Sequence, residues 1–383
     1  MQSMTMTRST ECSAVTGHLL VAFELGQRWW KVGFTTGLGR RPRTRRMAAG
    51  AVDVLMAEMA RAKASFGLAA DAPVISCYEA GRDGFWIHRY LQAQGVTNYV
   101  VDSASIEVNR RARRTKTDAV DLGGLLSLLA RYVAGDRRCW RVVRVPSEAD
   151  EDARQLHRTR ETLQADRTRV INRLKATLAT QGVQLPITTA FLEQVAAARL
   201  WDGREIPEGA RDRLARDWAH LQTIEQQLAE VDAARAALRI DPETPTGRTV
   251  QALQELRAIG ATGSWVLATE IFGWREIRNG RQLGALVGLV PALYQSGEMQ
   301  HDRGITRAGN DHVRRIMVQL AWGWLRWQPG SALAQWYQRR FAGGGSRMRR
   351  IGIVALARKL LIALWRYVDQ GVLPDGAVLK AAA

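Results

Sequence analysis

Two carboxylates three residues apart, Asp118 and Asp121, follow a run of cations: Arg110, Arg111, Arg113, Arg114 and Lys116. On a helix, positions i and i+3 share a face, so the two acids would project together. Two more carboxylates, Glu24 and Glu79, each end a short apolar run that reads as a strand. Hard-oxygen ligands beside concentrated positive charge suit a site that holds a phosphate backbone against a divalent metal. If the four acids converge, they form a cage for one or two Mg2+ ions, the chemistry of phosphodiester displacement. The alternative for each acid alone is a helix-cap or loop carboxylate, with the basic run a solvated loop. No histidine or cysteine holds a comparable position, which disfavours a soft-metal site.

The elements that must position these acids are legible in outline. His18–Glu24 and Trp29–Thr35 predict a hairpin, and Val74–Glu79 and Asn98–Asp102 predict two further strands. Helical spacing covers Ala51–Ser65, Phe85–Gln94 and a stretch from Asp118 to about Tyr132, while Arg40–Arg46 reads as a basic loop. Strands alternating with helices imply an α/β domain, and such folds place active sites at strand ends.

Past Pro146 the pattern changes. Leu156, Leu163 and Val170 recur every seven residues, joined by Leu174 and Leu178; Leu214, Leu221 and Leu228 do the same, with Ile224, Val231 and Leu238. With the turn-rich Gly182–Gly209 between them, these predict an antiparallel coiled-coil hairpin. Asp241–Gly247 reads as a linker. A mainly helical C-terminal part follows: helical stretches flank Ile259–Gly263, Gln295–Gly309 reads as a polar loop, and a helix starts at about Asn310. The expected division is 1–145, 146–245 and 246–383.

A net charge of +18 over 383 residues, with a pI near 10.8, points to a polyanionic partner, nucleic acid before anionic membrane. The stretch most like a span, Ile351–Val368, is broken by Arg358 and Lys359 and reads as a core helix. Cys12, Cys77 and Cys139 form no CxxC pair, which disfavours a disulfide framework and fits a reducing compartment. Met1–Gly17 lacks the apolar run of a signal peptide, so the expected location is cytoplasmic.

Several strings together carry a resemblance: V-A-F-E-L-G, C-Y-E-A-G-R-D-G-F-W, V-V-D-S-A-S-I-E-V-N-R-R-A-R-R-T-K-T-D-A-V-D and, far downstream, G-L-V-P-A-L-Y-Q-S-G-E-M and G-I-T-R-A-G-N-D-H-V-R-R. They resemble the insertion-sequence transposases with an N-terminal RuvC-like DEDD domain and a C-terminal transposase domain bearing a catalytic serine, also described as bridge-RNA-guided recombinases. The resemblance implies an RNase H/RuvC-like mixed sheet with helices and a Mg2+-binding tetrad of Glu24, Glu79, Asp118 and Asp121. The family tetrad begins with Asp, so Glu24 would reach the metal with shifted geometry. It also implies a nucleophile at Ser296, whose alkoxide attacks phosphorus. Donor and target DNA, a non-coding bridge RNA and a homo-oligomer (dimer or tetramer) in which tetrad and serine come from different subunits complete the picture. Arg303, Arg307, Asn310, Arg314 and Arg315 are the candidates for holding phosphates around Ser296. Two other readings stand beside this one: a junction-resolving or RNase H-like nuclease acting by metal-activated water, and a non-catalytic nucleic-acid scaffold.

Overall fold

The structure is a computed structural model, and it describes residues 17–106, 118–237, 241–296 and 299–381. The chain divides into two compact units, Met1–Val145 and Pro146–Ala383.

The first unit is built on β1 (Leu19–Leu25), whose first five residues are buried on both faces. It pairs antiparallel with β2 (Trp29–Thr35), which pairs antiparallel with β3 (Arg43–Ala48). On its other side β1 runs parallel to β4 (Val74–Glu79), and β4 parallel to β5 (Thr97–Val101), giving the order β3-β2-β1-β4-β5. Helices α1 (Val52–Ser65) and α2 (Trp86–Ala93) connect these strands, and α3 (Asp118–Val133) follows. One face of the sheet packs Val21, Phe23, Trp30 and Val32 with Leu55, Met59, Ile87 and Leu91 of α1 and α2. The opposite face packs Leu20, Ala22 and Cys77 with Leu122, Leu125, Leu126 and Leu129 of α3. A strand covered on both faces has no polar side to show, which is why β1 reads as a continuous apolar run.

The basic loop expected over Arg40–Arg46 is in large part a strand. β3 is an edge strand with one buried apolar side chain, Met47, so it leaves almost no hydrophobic signal. Two of its arginines are matched across to α1: Glu58 receives Arg43 at 2.6 Å and Arg45 at 3.2 Å, beside Arg61 of its own helix at 2.7 Å. Arginines on an exposed edge also discourage strand addition from another chain.

The second unit opens with α4 (Glu148–Asp152), started by a capping box between Ser147 and Asp150. Then α5 (Gln155–Thr180) and α7 (Glu208–Ala237) lie antiparallel, since Arg160 meets Asp232, Arg167 meets Glu225 and Arg173 meets Asp217. Their seam is Val170, Leu174, Leu178, Leu214, Trp218, Leu221 and Ile224. The turn-rich stretch between them also contains a helix, α6 (Phe191–Ala197), which puts Phe191 and Val195 into that seam.

The expected linker Asp241–Gly247 runs into α8 (Pro245–Glu255), because Thr244 caps the helix and Pro245 takes its first position. A proline there gives up only an N–H that has no helical partner. After α8 come α9 (Ala261–Leu267), a π-helical turn over Ala268–Phe272 and α10 (Gly280–Leu286). The polar loop expected over Gln295–Gly309 is mostly a two-stranded ribbon, β6 (Pro291–Ser296) paired with β7 (Met299–Ile305). Backbone bonds hold such a ribbon, so no apolar alternation announces it. The core closes with α11 (Asp311–Trp327), α12 (Ala332–Tyr337) and α13 (Ser346–Gln370), around Met317, Trp324, Leu356, Leu360 and Leu364. No helix among the described residues is long and apolar enough to cross a membrane.

Candidate active site

Register brings the two strand-end carboxylates together. The β1–β4 ladder runs to Phe23 opposite Tyr78, and the next residue on each strand is Glu24 and Glu79. Side chains alternate along a strand, so both follow Ala22 and Cys77 onto the face that α3 covers. Gly33 on β2 lets α3 come close, because a Cβ there would lie 2.7 Å from Leu126.

Asp118 and Asp121 open α3. Their positions precede Leu122 and Leu125 by four residues, one helical turn, and those leucines pack on the sheet face that carries Glu24 and Glu79. The basic run Arg110, Arg111, Arg113, Arg114 and Lys116 lies outside the described residues.

Charge on this face is ordered across the strands. Glu24 on β1 stands opposite Lys31 on β2, and Lys31 opposite Arg46 on β3. A cleft of about 380 Å³ opens there, lined by Glu24, Arg28, Trp29, Lys31 and Arg46 among others. Glu24 is half-buried with its Oε2 shielded from solvent, whereas Glu79 is exposed. Beneath Glu79 the thiol of Cys77 is fully buried; burial, with Glu79 nearby, pushes it up, so it stays a neutral packing group.

Ser296 is the last residue of β6, paired with Met299. The base of its ribbon is tied down on both sides. Gly288, at φ +68°, ends α10 in a Schellman motif, with Gly288 N–H to Ala285 O at 3.1 Å and Leu289 N–H to Gly284 O at 2.9 Å. Gly309, at φ +92°, leads into α11, and a Cβ there would overlap the carbonyl oxygen of Leu286. Thr306 N–H to Val290 O at 2.9 Å and Asn310 N–H to Leu286 O at 2.8 Å close the gap.

The basic and polar residues named around Ser296 have varied environments. Arg307 is exposed and holds a left-handed φ of 55°. Arg303 lies on β7. Arg314 donates to the carbonyl of Val287 at 3.1 Å, fastening the end of α10, and Arg315 pairs with Asp311 at 2.8 Å and Glu161 at 3.2 Å. Asn310 is the N-cap of α11, its side chain accepting from Val313 N–H at 3.1 Å, and it donates to Glu270 at 2.7 Å.

Glu270 escaped the sequence reading. It sits in the π-helical turn, is 1% exposed, and receives His157 Nε2 at 2.8 Å, Arg158 at 2.8 and 3.1 Å, and Asn310. Burial alone would push its carboxyl up; the bonds from His157, Arg158 and Asn310 outweigh that and hold it well below the usual carboxylate range. Its signal in the sequence was a lone acid inside the apolar run V-L-A-T-E-I-F-G-W.

A mixed sheet with neighbouring strand-end acids under a helix opened by two aspartates, in a chain whose C-terminal part is helical, is consistent with a RuvC-like nuclease domain joined to a second module. Comparison with known proteins gives the family. The model of the transposase IS116/IS110/IS902 family matches residues 250–337, and the DEDD transposase model of the IS110 group matches residues 41–181. The first span takes in Ser296; the second takes in Glu79, Asp118 and Asp121 and begins after Glu24. A protein of Sinorhizobium fredii named as a transposase, y4rJ, is 37% identical over 380 residues, covering 95% of each chain. The transposase for insertion sequence element IS1328 of Yersinia enterocolitica is 28% identical over 59% of this chain and 66% of its own length. That for element IS1533 of Leptospira borgpetersenii is 25% identical over 75% and 79%. The chain belongs to the IS110 family of transposases, and its class of reaction is DNA transposition.

Proposed function

We propose that the protein moves an insertion sequence by cutting and rejoining DNA strands through Ser296, with Mg2+ held by Glu24, Glu79, Asp118 and Asp121. The observation that carries this is the adjacency of Glu24 and Glu79 at the ends of two parallel strands, on the face where α3 packs. The donor set fits a hard cation, since all four side chains offer carboxylate oxygens. Mg2+, when bound, supplies charge neutralisation at the scissile phosphate. The Ser296 hydroxyl loses its proton and its oxygen bonds to phosphorus as one phosphorus–oxygen bond to deoxyribose breaks. The departing sugar oxygen takes up a proton, leaving a phosphoserine ester that a second strand's hydroxyl resolves in the reverse sense. The working parts of this reading are residues 1–145, 146–245 and 246–383: nuclease-like domain, helical hairpin and serine-bearing domain.

Sequence choice is assigned to a bridge RNA paired with donor and target DNA, leaving the protein to bind backbone and shape. The surplus of cations supports a polyanion of that kind. Recombination on this reading needs more than one protomer, so full activity from an obligate monomer would contradict it. The decisive experiment looks for a covalent protein–DNA adduct in the wild type and its loss in Ser296→Ala. Full-rate cutting without an adduct would mean hydrolysis by activated water instead. Sequencing of nucleic acid that co-purifies with the chain tests the RNA.

A further inference from the structure

Strand alternation sends neighbouring tryptophans of β2 to opposite faces. Trp30 enters the core and is 1% exposed, while Trp29 lies on the carboxylate face and is 48% exposed. A single exposed indole needs no explanation by itself, and Trp86, Trp201, Trp322 and Trp327 are exposed too. What sets Trp29 apart is that it stands on the face and in the cleft that Glu24 lines. Trp29 is held in place by its turn: Gly26 N–H bonds its carbonyl at 3.1 Å, and a Cβ on Gly26 would sit 2.5 Å from that oxygen. Across the ladder Trp29 faces Ala48, whose small side chain leaves the ring uncovered on that side. The diagonal neighbour, Arg46, lays its guanidinium 4.5 Å from the ring centroid. Arg46 is itself exposed. Arg28 at the turn, Lys31 two residues on and Arg46 line the cleft with the ring, against one carboxylate, Glu24.

We propose that Trp29 and Arg46 form a stacking platform for an unpaired base of the DNA strand whose phosphate lies at Glu24 and Glu79. The platform rests on the carboxylate reading for its choice of DNA. Flat π surfaces flanked by cations are how proteins hold single strands without reading sequence. The spacing is suitable, since Trp29 lies two residues along β2 and one strand across from Glu24, about 7 Å and about 5 Å. A cationic protein partner would be repelled by Arg28, Lys31 and Arg46, and an apolar one would have to desolvate them. Trp29 precedes the matched span 41–181, so this hairpin lies outside what the family's N-terminal model describes.

The test is equilibrium binding of the full chain, in EDTA, to a short labelled single-stranded DNA of mixed sequence and to its duplex. Trp29→Ala should weaken single-strand binding about 5- to 150-fold, the range that base–aromatic stacking corresponds to. Trp29→Phe should retain most of the affinity, and duplex binding should change less than about twofold. Single-strand binding unchanged in Trp29→Ala, or an equal loss for both probes, overturns the proposal. A second measurement needs no variant: an abasic site stepped along the probe should weaken wild-type binding at one register, and an even response overturns the proposal as well. The same oligonucleotide made as RNA, if it alone shows the Trp29 dependence, overturns the assignment to DNA. Because cutting is silent in EDTA, failure of the carboxylate reading appears separately, as full-rate cutting by Glu79→Gln in Mg2+.

Discussion

The amide of Asn310 donates to the buried carboxylate of Glu270 at 2.7 Å, while its own carbonyl oxygen caps α11. The start of α11, five residues past the serine ribbon, is thereby tied to the π-helical turn and, through His157 and Arg158, to the start of α5. The side-chain amide and carbonyl of Asn310 are thus both engaged within the chain.

Removing that carboxylate takes the hydrogen-bond acceptor from buried His157 and from Asn310, and leaves the partly exposed Arg158 with only Glu161 and Asp311 as neighbouring acids. Glu270→Ala is expected to cost about 3–5 kcal/mol in urea unfolding at neutral pH, as when one partner of a buried pair is lost. Glu270 is held below its ordinary value of 4.5, so its contribution is fully present above that pH and is lost as pH falls below it. The gap between wild type and Glu270→Gln should therefore narrow as unfolding is followed downward from pH 5.

Gly309 has a left-handed φ and no room for a Cβ. Gly309→Ala should displace the base of the β6–β7 ribbon, reducing serine–DNA adduct formation about tenfold or more. Single-stranded DNA binding in EDTA should stay near wild type. Positional strain of this kind costs about 1–3 kcal/mol, so a drop in melting temperature of several degrees should accompany the loss. An adduct yield equal to wild type would show that the ribbon tolerates the shift.

Each tetrad acid contributes through the metal if the reading holds. Asp118→Asn, Asp121→Asn and Glu79→Gln should each slow strand cutting about a hundredfold or more, since metal-borne charge stabilisation is worth several kcal/mol. DNA affinity should change little, and chelation should abolish cutting in the wild type. Glu24→Asp, which shortens the first acid, is expected to retain activity where Glu24→Gln does not. Undiminished cutting in the Asp118 and Asp121 variants would favour a scaffold.

Affinity for nucleic acid should fall steeply with salt. If the chain displaces counterions from six to ten phosphates, binding weakens about 10³- to 10⁵-fold between 50 and 200 mM salt. Measured log–log slopes near zero would rule out backbone-dominated binding.

In the helical hairpin the apolar seam, not the charged rungs, should carry stability. Leu174 is fully buried, and Leu174→Ala is expected to cost about 2–5 kcal/mol. Arg160 and Asp232 are partly exposed, so Arg160→Ala should cost no more than about 1 kcal/mol. Thermal unfolding of the two variants distinguishes these outcomes.

Local chemistry made much of this chain readable. Apolar runs located β1, β4 and β5, heptad spacing located α5 and α7, and Glu24, Glu79, Asp118 and Asp121 stood out by type and place. Those signals survive in one dimension because burial on a strand or a helix imposes a period that neighbouring residues must obey. What stayed hidden depends on partners distant in sequence. β3 is a strand because β2 offers it a ladder, with Glu58 answering two of its arginines, and Glu270 is tolerable in a core because His157, Arg158 and Asn310 converge on it. Only the sheet register set Glu24 beside Glu79 and Trp29 beside Arg46, since lateral pairing is decided by the whole ladder and not by any single strand.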